Sequence, residues 1–224
     1  MNMLRGALAA LVTGVCTVLV VLAVSILPYL NPVWVSFEQG RAQALAWTGF
    51  SEATLATVTN EILADLVLGP PDFDVTLDGA PVLNERERSH MRDVRAVFVM
   101  LYAAAAASLV LLIVLAVVAR ARGALARAAM WRRLRGTGTA IAVVTVAGGA
   151  VAIMFFDTAF ELFHRTFFPS GTYLFDPRTE RLVQLFPEQF WVDTSIAVGA
   201  TAIVIGLVLR RLGRRRAAQA ERGR

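Results

Sequence analysis

The sequence predicts an all-α membrane protein, a four-transmembrane-helix bundle with an extracytoplasmic cap that contains a short amphipathic helix and a small hairpin or lid. Three observations carry this reading. The 224 residues are 57% hydrophobic, charge is confined to a few segments between long apolar stretches, and the arginines are partitioned between alternate segments. That profile belongs to an integral membrane protein rather than to a globular or disordered chain.

A helix needs roughly 20 mostly apolar residues to cross about 30 Å of hydrocarbon. Four stretches qualify, at about 6–29, 95–119, 138–156 and 192–209. They make residues 1–224 a single integral membrane domain with outer segments at about 30–94 and 157–191 and a cytoplasmic linker at about 120–137. The first stretch resembles a secretory signal, because Arg5 precedes it and Ala23-Val24-Ser25 is a small-residue site. Its apolar run exceeds a signal core of about 7–15 residues, so an uncleaved helix is expected. Cys16 is the single cysteine, which excludes an internal disulfide and predicts a buried packing role.

Orientation follows from arginine alone, since the chain has no lysine. Arg5, the 120–137 linker and the tail beyond residue 209 hold 14 arginines and one acid, whereas the two outer segments, with Arg95 and Asp193 at the adjoining span ends, hold 8 arginines and 16 acids. By the positive-inside rule both termini are cytoplasmic, with +13 inside and −8 outside. The arginines flank spans, so they are topogenic and interact with anionic lipid; no nucleic-acid partner is implied.

Within the first outer segment, Leu55, Val58, Ile62 and Leu66 recur at helical spacing between Ser51, an expected N-cap, and the stop Gly69-Pro70-Pro71. This amphipathic helix either packs on the bundle or lies among the headgroups. Asn84-Glu85-Arg86-Glu87 reads as a capping box, so the second span starts outside the bilayer and runs inward as one rod. The third span is expected to continue outward past Phe156 to Phe168, where Pro169-Ser170-Gly171 ends it. Thr172–Phe175 and Arg181–Leu185 flank the turn residues Asp176-Pro177-Arg178-Thr179, which predicts the hairpin or lid there. Pro187 suits the first turn of the fourth helix, and Phe186, Phe190 and Trp191 read as an aromatic belt.

Only two histidines exist, His90 and His164, and the topology puts both at the outer ends of adjacent rods. On helix spacing Glu87 and Asp93 share a face with His90, and Asp157 and Glu161 share one with His164, so carboxylates are expected to fix each tautomer. Asp157 has the alternative of pairing with Arg92 or Arg95. The two Glu-x-x-His motifs also admit a dinuclear metal site, but spans one and four offer no matching glutamates, so no metal ligands are assigned. Ser89 faces away from His90, Ser170 lies in a turn and no Gly-x-Ser-x-Gly elbow occurs, which disfavours a serine nucleophile.

Glu85-Arg86-Glu87-Arg88-Ser89-His90-Met91-Arg92-Asp93-Val94, then Asp157…Phe160…Phe163-His164, then Phe175-Asp176-Pro177…Leu182-Val183…Phe186-Pro187-Glu188…Phe190 together resemble a four-helix bacterial membrane family. One branch of it is the lipoprotein intramolecular transacylase. The resemblance runs through the whole chain, with Tyr173 and Glu180 departing from a frequent tryptophan and aspartate. It implies an acyltransferase of the bacterial cytoplasmic membrane acting on its extracytoplasmic face, with diacylated lipoproteins as partners and no cofactor. The implied reaction moves the sn-2 acyl chain of the diacylglyceryl-cysteine to that residue's α-amine, giving a lyso-form lipoprotein. His90 and His164 match the family's two catalytic histidines, one base and one acid. His164 is the better base candidate, and Arg92 or Arg165 the candidate oxyanion donor. Amine and ester share one molecule, so positioning supplies much of the rate without a covalent nucleophile. The competing readings are a non-enzymatic membrane scaffold and a metal-dependent membrane hydrolase. The oligomeric state is not encoded in any motif.

Overall fold

The computed structural model describes residues 2–168 and 171–222. The expected stop at Pro169-Ser170, the candidate Ser170 and the terminal Arg224 lie outside them. The elements are α1 (Asn2–Ile26), α2 (Pro32–Arg41), α3 (Ala44–Thr48), α4 (Glu52–Val67), β1 (Thr76–Leu77), β2 (Ala80–Pro81), α5 (Glu85–Ala121), α6 (Ala124–Met154), α7 (Phe156–Phe167), α8 (Arg181–Leu185) and α9 (Glu188–Arg222). Four of them, α1, α5, α6 and α9, are long and apolar enough to cross a membrane.

The chain forms two compact units. The first comprises residues 1–26, 101–150 and 198–224. Its helices are apolar all round, with only 6% to 33% of each most apolar window buried, as expected of surfaces that meet lipid rather than water. Small residues set its packing. A Cβ on Gly138 would stand 2.5 Å from the Gly206 carbonyl oxygen, and one on Gly206 would stand 2.8 Å from the Gly138 carbonyl oxygen. Here α6 and α9 touch backbone to backbone, the close approach that glycine allows between membrane helices. Along α1, the buried Thr13 and Thr17 hydroxyls donate to the Ala9 and Thr13 carbonyls, which satisfies them inside the helix. Cys16 is buried beside them, as expected.

The second unit comprises residues 27–100 and 151–197. Its core is formed by Val35, Leu55, Val58, Ile62, Leu63, Phe73, Leu83, Met91, Leu182, Leu185, Phe186 and Phe190 among others. The stripe predicted on α4 therefore packs into a protein core instead of lying among headgroups, with the Ser51 hydroxyl capping at Thr54 N–H, 3.1 Å. At the other end of α4, the Arg95 guanidinium donates to the carbonyls of Asp65 and Gly69, a cation placed at a helix C-terminus. Arg41 lies between Glu38 and Asp193, tying α2 to the start of α9, and burial pushes the Glu38 carboxyl above its ordinary range.

The capping box is complete. The Asn84 side chain accepts from Glu87 N–H at 3.0 Å, the Glu87 carboxylate accepts from Asn84 N–H at 2.7 Å, and α5 then runs unbroken from Glu85 to Ala121. Three expectations are corrected. The third span is not one rod with its outer extension: Phe155 leaves the helical region (φ −127°, ψ 48°) between α6 and α7. Neither proline nor glycine stands at the break, and the backbone bonds Phe155 N–H to Val151 and Ala159 N–H to Phe155 persist across it. No hairpin forms between residues 171 and 186 among the described residues, because Arg181–Leu185 closes into the helical turn α8. The hairpin of the structure is β1–β2, whose Asp78-Gly79 turn has positive φ at both residues, as a two-residue connection requires. Phe186 and Phe190 are core residues rather than a belt; only Trp191 of the three is exposed, and its indole N–H donates to the Phe186 carbonyl. Of the linker arginines, Arg122 lies in the short turn between α5 and α6, and the others stand on those two helices.

Candidate active site

Both histidines belong to the second unit, and it brings them together. His90 sits in the second turn of α5 and His164 near the end of α7; both are buried, their rings stacked 22° from parallel with centroids 5.8 Å apart. At the C-terminal end of α7 Phe168 is extended, the conformation forced on a residue preceding proline.

Around this pair stands an aromatic box. Phe168 and Phe175 meet the His90 ring edge-on at 4.8 and 5.4 Å. Phe160, Tyr173, Phe168 and Phe163 lie 4.1, 5.1, 5.3 and 5.4 Å from the His164 ring. The His164 Nδ1 is 2.8 Å from the Phe160 carbonyl oxygen one turn earlier. A carbonyl only accepts, so Nδ1 carries the proton and Nε2 the lone pair. Burial holds the His164 pKa below the ordinary imidazole value of 6.5, opposed by that hydrogen bond, so the ring is neutral at physiological pH. The His90 Nδ1 is buried and has no hydrogen-bond partner. An orphan buried nitrogen is an exception that calls for a role.

The carboxylates expected to orient the imidazoles do not. Glu87 is 1% exposed, but its oxygens accept from the backbone N–H groups of Asn84 and Leu182, both at 2.7 Å. Glu161 is exposed and paired with Arg165 at 3.6 Å, Asp157 is exposed, and Asp93 makes no ion pair among the described residues. A carboxylate three residues from a histidine shares its helix face, yet the free end of a helix offers unpaired amides that compete for it, and at Glu87 they win. The expected oxyanion donors are also engaged elsewhere. Arg92 pairs with Glu85 at 2.6 Å and Arg165 with Glu161, and Arg95 is held by α4 carbonyls, so none of these arginines pairs with Asp157. With Glu87 and Glu161 so occupied, the two Glu-x-x-His motifs do not converge into a ligand set; among the described residues no group of three or more His, Cys, Asp or Glu side chains does.

Sequence reasoning missed the box itself and the clip that holds one side of it. Glu180 accepts from the Arg86 guanidinium, from Asp176 N–H at 2.7 Å and from the Asn84 amide at 3.4 Å. Burial pushes the Glu180 pKa up, but the hydrogen bonds from Arg86, Asp176 and Asn84 outweigh it and leave it below the ordinary value. The signal was the density of Phe160, Phe163, Phe167 and Phe168 around one histidine, with Phe175 next to turn residues.

The family model described as lipoprotein intramolecular transacylase Lit matches residues 11–191. The chain belongs to that family. Solved structures of the membrane integral lipoprotein intramolecular transacylase Lit from Bacillus cereus share its fold. One is 15% identical, with a TM-score of 0.73 over 98% of this chain and 99% of that chain. A variant with a histidine-to-arginine mutation is 15% identical, with a TM-score of 0.76 over 100% and 96%. A histidine-to-alanine variant is 16% identical, with a TM-score of 0.66 over 98% and 97%. No curated protein matches the chain at a significant level. As a Lit family member it is a membrane acyltransferase with lipoprotein as the substrate class, built on the family's four-helix fold.

Proposed function

We propose that this Lit family member transfers the sn-2 acyl chain of a diacylglyceryl-cysteine to the α-amine of the same cysteine, with His164 as general base and His90 as proton donor. The reaction would take place on the extracytoplasmic face, with both termini cytoplasmic, as the arginine partition favours. The observation that carries the reading is the buried imidazole pair, in which His164 is fixed with its Nε2 lone pair free and His90 has an unsatisfied nitrogen.

The amine nitrogen attacks the ester carbonyl carbon and gives up a proton to His164 Nε2; that proton passes across the pair to His90, which hands it to the glycerol oxygen as the carbon–oxygen bond to glycerol breaks, so both imidazoles end neutral as they began. The proton count closes, because the amine loses one and the glycerol oxygen gains one. No acyl-enzyme is needed, since nucleophile and electrophile arrive on one molecule at an effective concentration of ~10⁵ M or more. General acid–base assistance from a placed imidazole contributes about 10²–10⁴-fold.

The test is mass spectrometry of the N-terminal lipopeptide of an abundant lipoprotein, in a host that makes diacylated lipoproteins and expresses wild type or His164→Ala. The expected outcome is an acyl chain moved from glycerol to nitrogen at unchanged mass with wild type, and a loss of about 10²-fold or more with the variant. An unmodified lipopeptide with folded wild-type protein in the membrane would overturn the proposal.

A further inference from the structure

Intramolecular transfer has a competitor at every turnover. If water instead of the amine attacks the carbonyl carbon, the same bond to glycerol breaks, glycerol takes the proton, and a free fatty acid leaves carrying one oxygen from water. A neutral imidazole that can deprotonate an amine can deprotonate water, so the histidines alone do not choose between the two.

We propose that Phe175, pinned by the Arg86–Glu180 clip, is the specificity-determining wall that keeps water out of the box around the stacked imidazole pair and so directs the acyl chain to nitrogen. This deepens the acyl-transfer reading and rests on it. The imidazoles are walled by carbon. Phe168 and Phe175 close on His90, Phe160, Phe163 and Tyr173 on His164, and no charged side chain hydrogen-bonds either ring among the described residues. A bound water needs two to four polar partners, and such a box offers little beyond the imidazole nitrogens. A substrate amine is delivered by its own tether and does not need them. Excluding water in this way suppresses hydrolytic side reactions.

Phe175 is singled out because of where and how it is held. Of the two phenylalanines on His90, Phe168 is buried at 6% exposure, whereas Phe175 is half-buried and also meets its surroundings. The Arg86 guanidinium lies over its ring at 5.0 Å, a cation–π contact. The same guanidinium pairs with Glu180, whose other oxygen accepts from the backbone N–H of Asp176, the residue after Phe175. One carboxylate thus fixes the backbone beside the ring and orients the cation that covers it. Glu180 is a positioning residue acting through Phe175.

The experiment uses the full chain in lipid nanodiscs with a synthetic dipalmitoylglyceryl-cysteinyl peptide bearing a free amine, in water enriched in ¹⁸O. N-palmitoyl peptide and ¹⁸O-labelled palmitate are read together by mass spectrometry. Phe175→Ala is expected to raise the palmitate-to-amide ratio by about tenfold, and Phe175→Leu, which keeps the bulk, to stay near the wild-type ratio. Glu180→Gln, which keeps the ring and loosens its pin, should lie between, and it decides the matter where Phe175→Ala fails to fold. A folded Phe175→Ala that turns over at the wild-type ratio would overturn the proposal while leaving acyl transfer intact. A wild-type protein that forms no amide would remove both.

Discussion

The two units of this chain are built from the same apolar residue types yet held together by different forces. In the unit of residues 1–26, 101–150 and 198–224, leucines and valines are largely exposed, and the tight contacts are glycine against backbone. Lipid tails are as apolar as leucine, so burying such a side chain against another helix gains little, and packing of small residues does the work. In the unit of residues 27–100 and 151–197, a set of apolar side chains from several segments is gathered into one core and buried polar groups such as Glu87 are tied by named hydrogen bonds. The charge division coincides with this one: 16 of the 17 acids and both histidines fall in the second unit and 14 of the 22 arginines in the first. Fold is therefore fixed by shape in one unit and by the hydrophobic effect and polar satisfaction in the other.

The largest test of this contrast is a matched truncation. Leu185→Ala, at a fully buried core position of the second unit, is expected to lose about 2–5 kcal/mol, whereas Leu207→Ala, at an exposed position of α9 in the first, should lose less than about 1 kcal/mol. Thermal unfolding in detergent separates them, and equal losses would break the comparison. Next is the reverse experiment in the first unit. Gly138→Ala drives a methyl into the Gly206 backbone and should cost about 1–3 kcal/mol. Gly148→Ala, on the same helix with open space around its would-be Cβ, should be neutral or stabilising by up to about 1 kcal/mol.

Response to pH should also belong to the second unit. His164 has a folded pKa depressed by burial, so its contribution to stability is complete above the unfolded value of 6.5 and is lost as pH falls through the lower folded value. The sign for activity is the same: the base is neutral at pH 7 and is protonated only below 6.5. Beyond the fall set by the substrate α-amine, which titrates at about 7.7–8.0, turnover should show a further acid limb below pH 6.5 that His164→Ala abolishes; a wild-type profile with no such limb would contradict the role of this ring. The smallest effect expected is at a helix end. Ser51→Ala removes the α4 cap and should cost about 1 kcal/mol, visible as a modest drop in melting temperature with turnover unchanged.

Much of this was legible along the chain because the signals were local. The Asn84–Glu87 capping box, the Ser51 cap, the 3.6-residue stripe of α4 and the four apolar stretches each depend on residues within a turn or two of one another, and each appears in the structure. What was misread required knowing a competitor. Glu87 stands at the right spacing to hold His90 but is taken by Asn84 and Leu182 amides, the second of them 95 residues away. Arg181–Leu185 has strand-like residues next to a turn, yet Arg181 reaches the Thr48 carbonyl and Gln184 the Pro177 carbonyl, contacts that favour the helical turn. The Asp78-Gly79 hairpin was readable, since that dipeptide is the standard chemistry for a two-residue turn.

By itself the sequence determined that the chain is a membrane protein with four apolar helices long enough to span, because hydropathy acts through local composition, and it gave the expectation that both histidines lie on one side. Tertiary structure alone decided that the histidines stack at 5.8 Å, that a backbone carbonyl rather than a carboxylate orients His164, and that phenylalanines from separate segments wall them in. Those are contacts between groups far apart in the chain, and which of several suitable partners a side chain meets is set by how the whole unit closes around it.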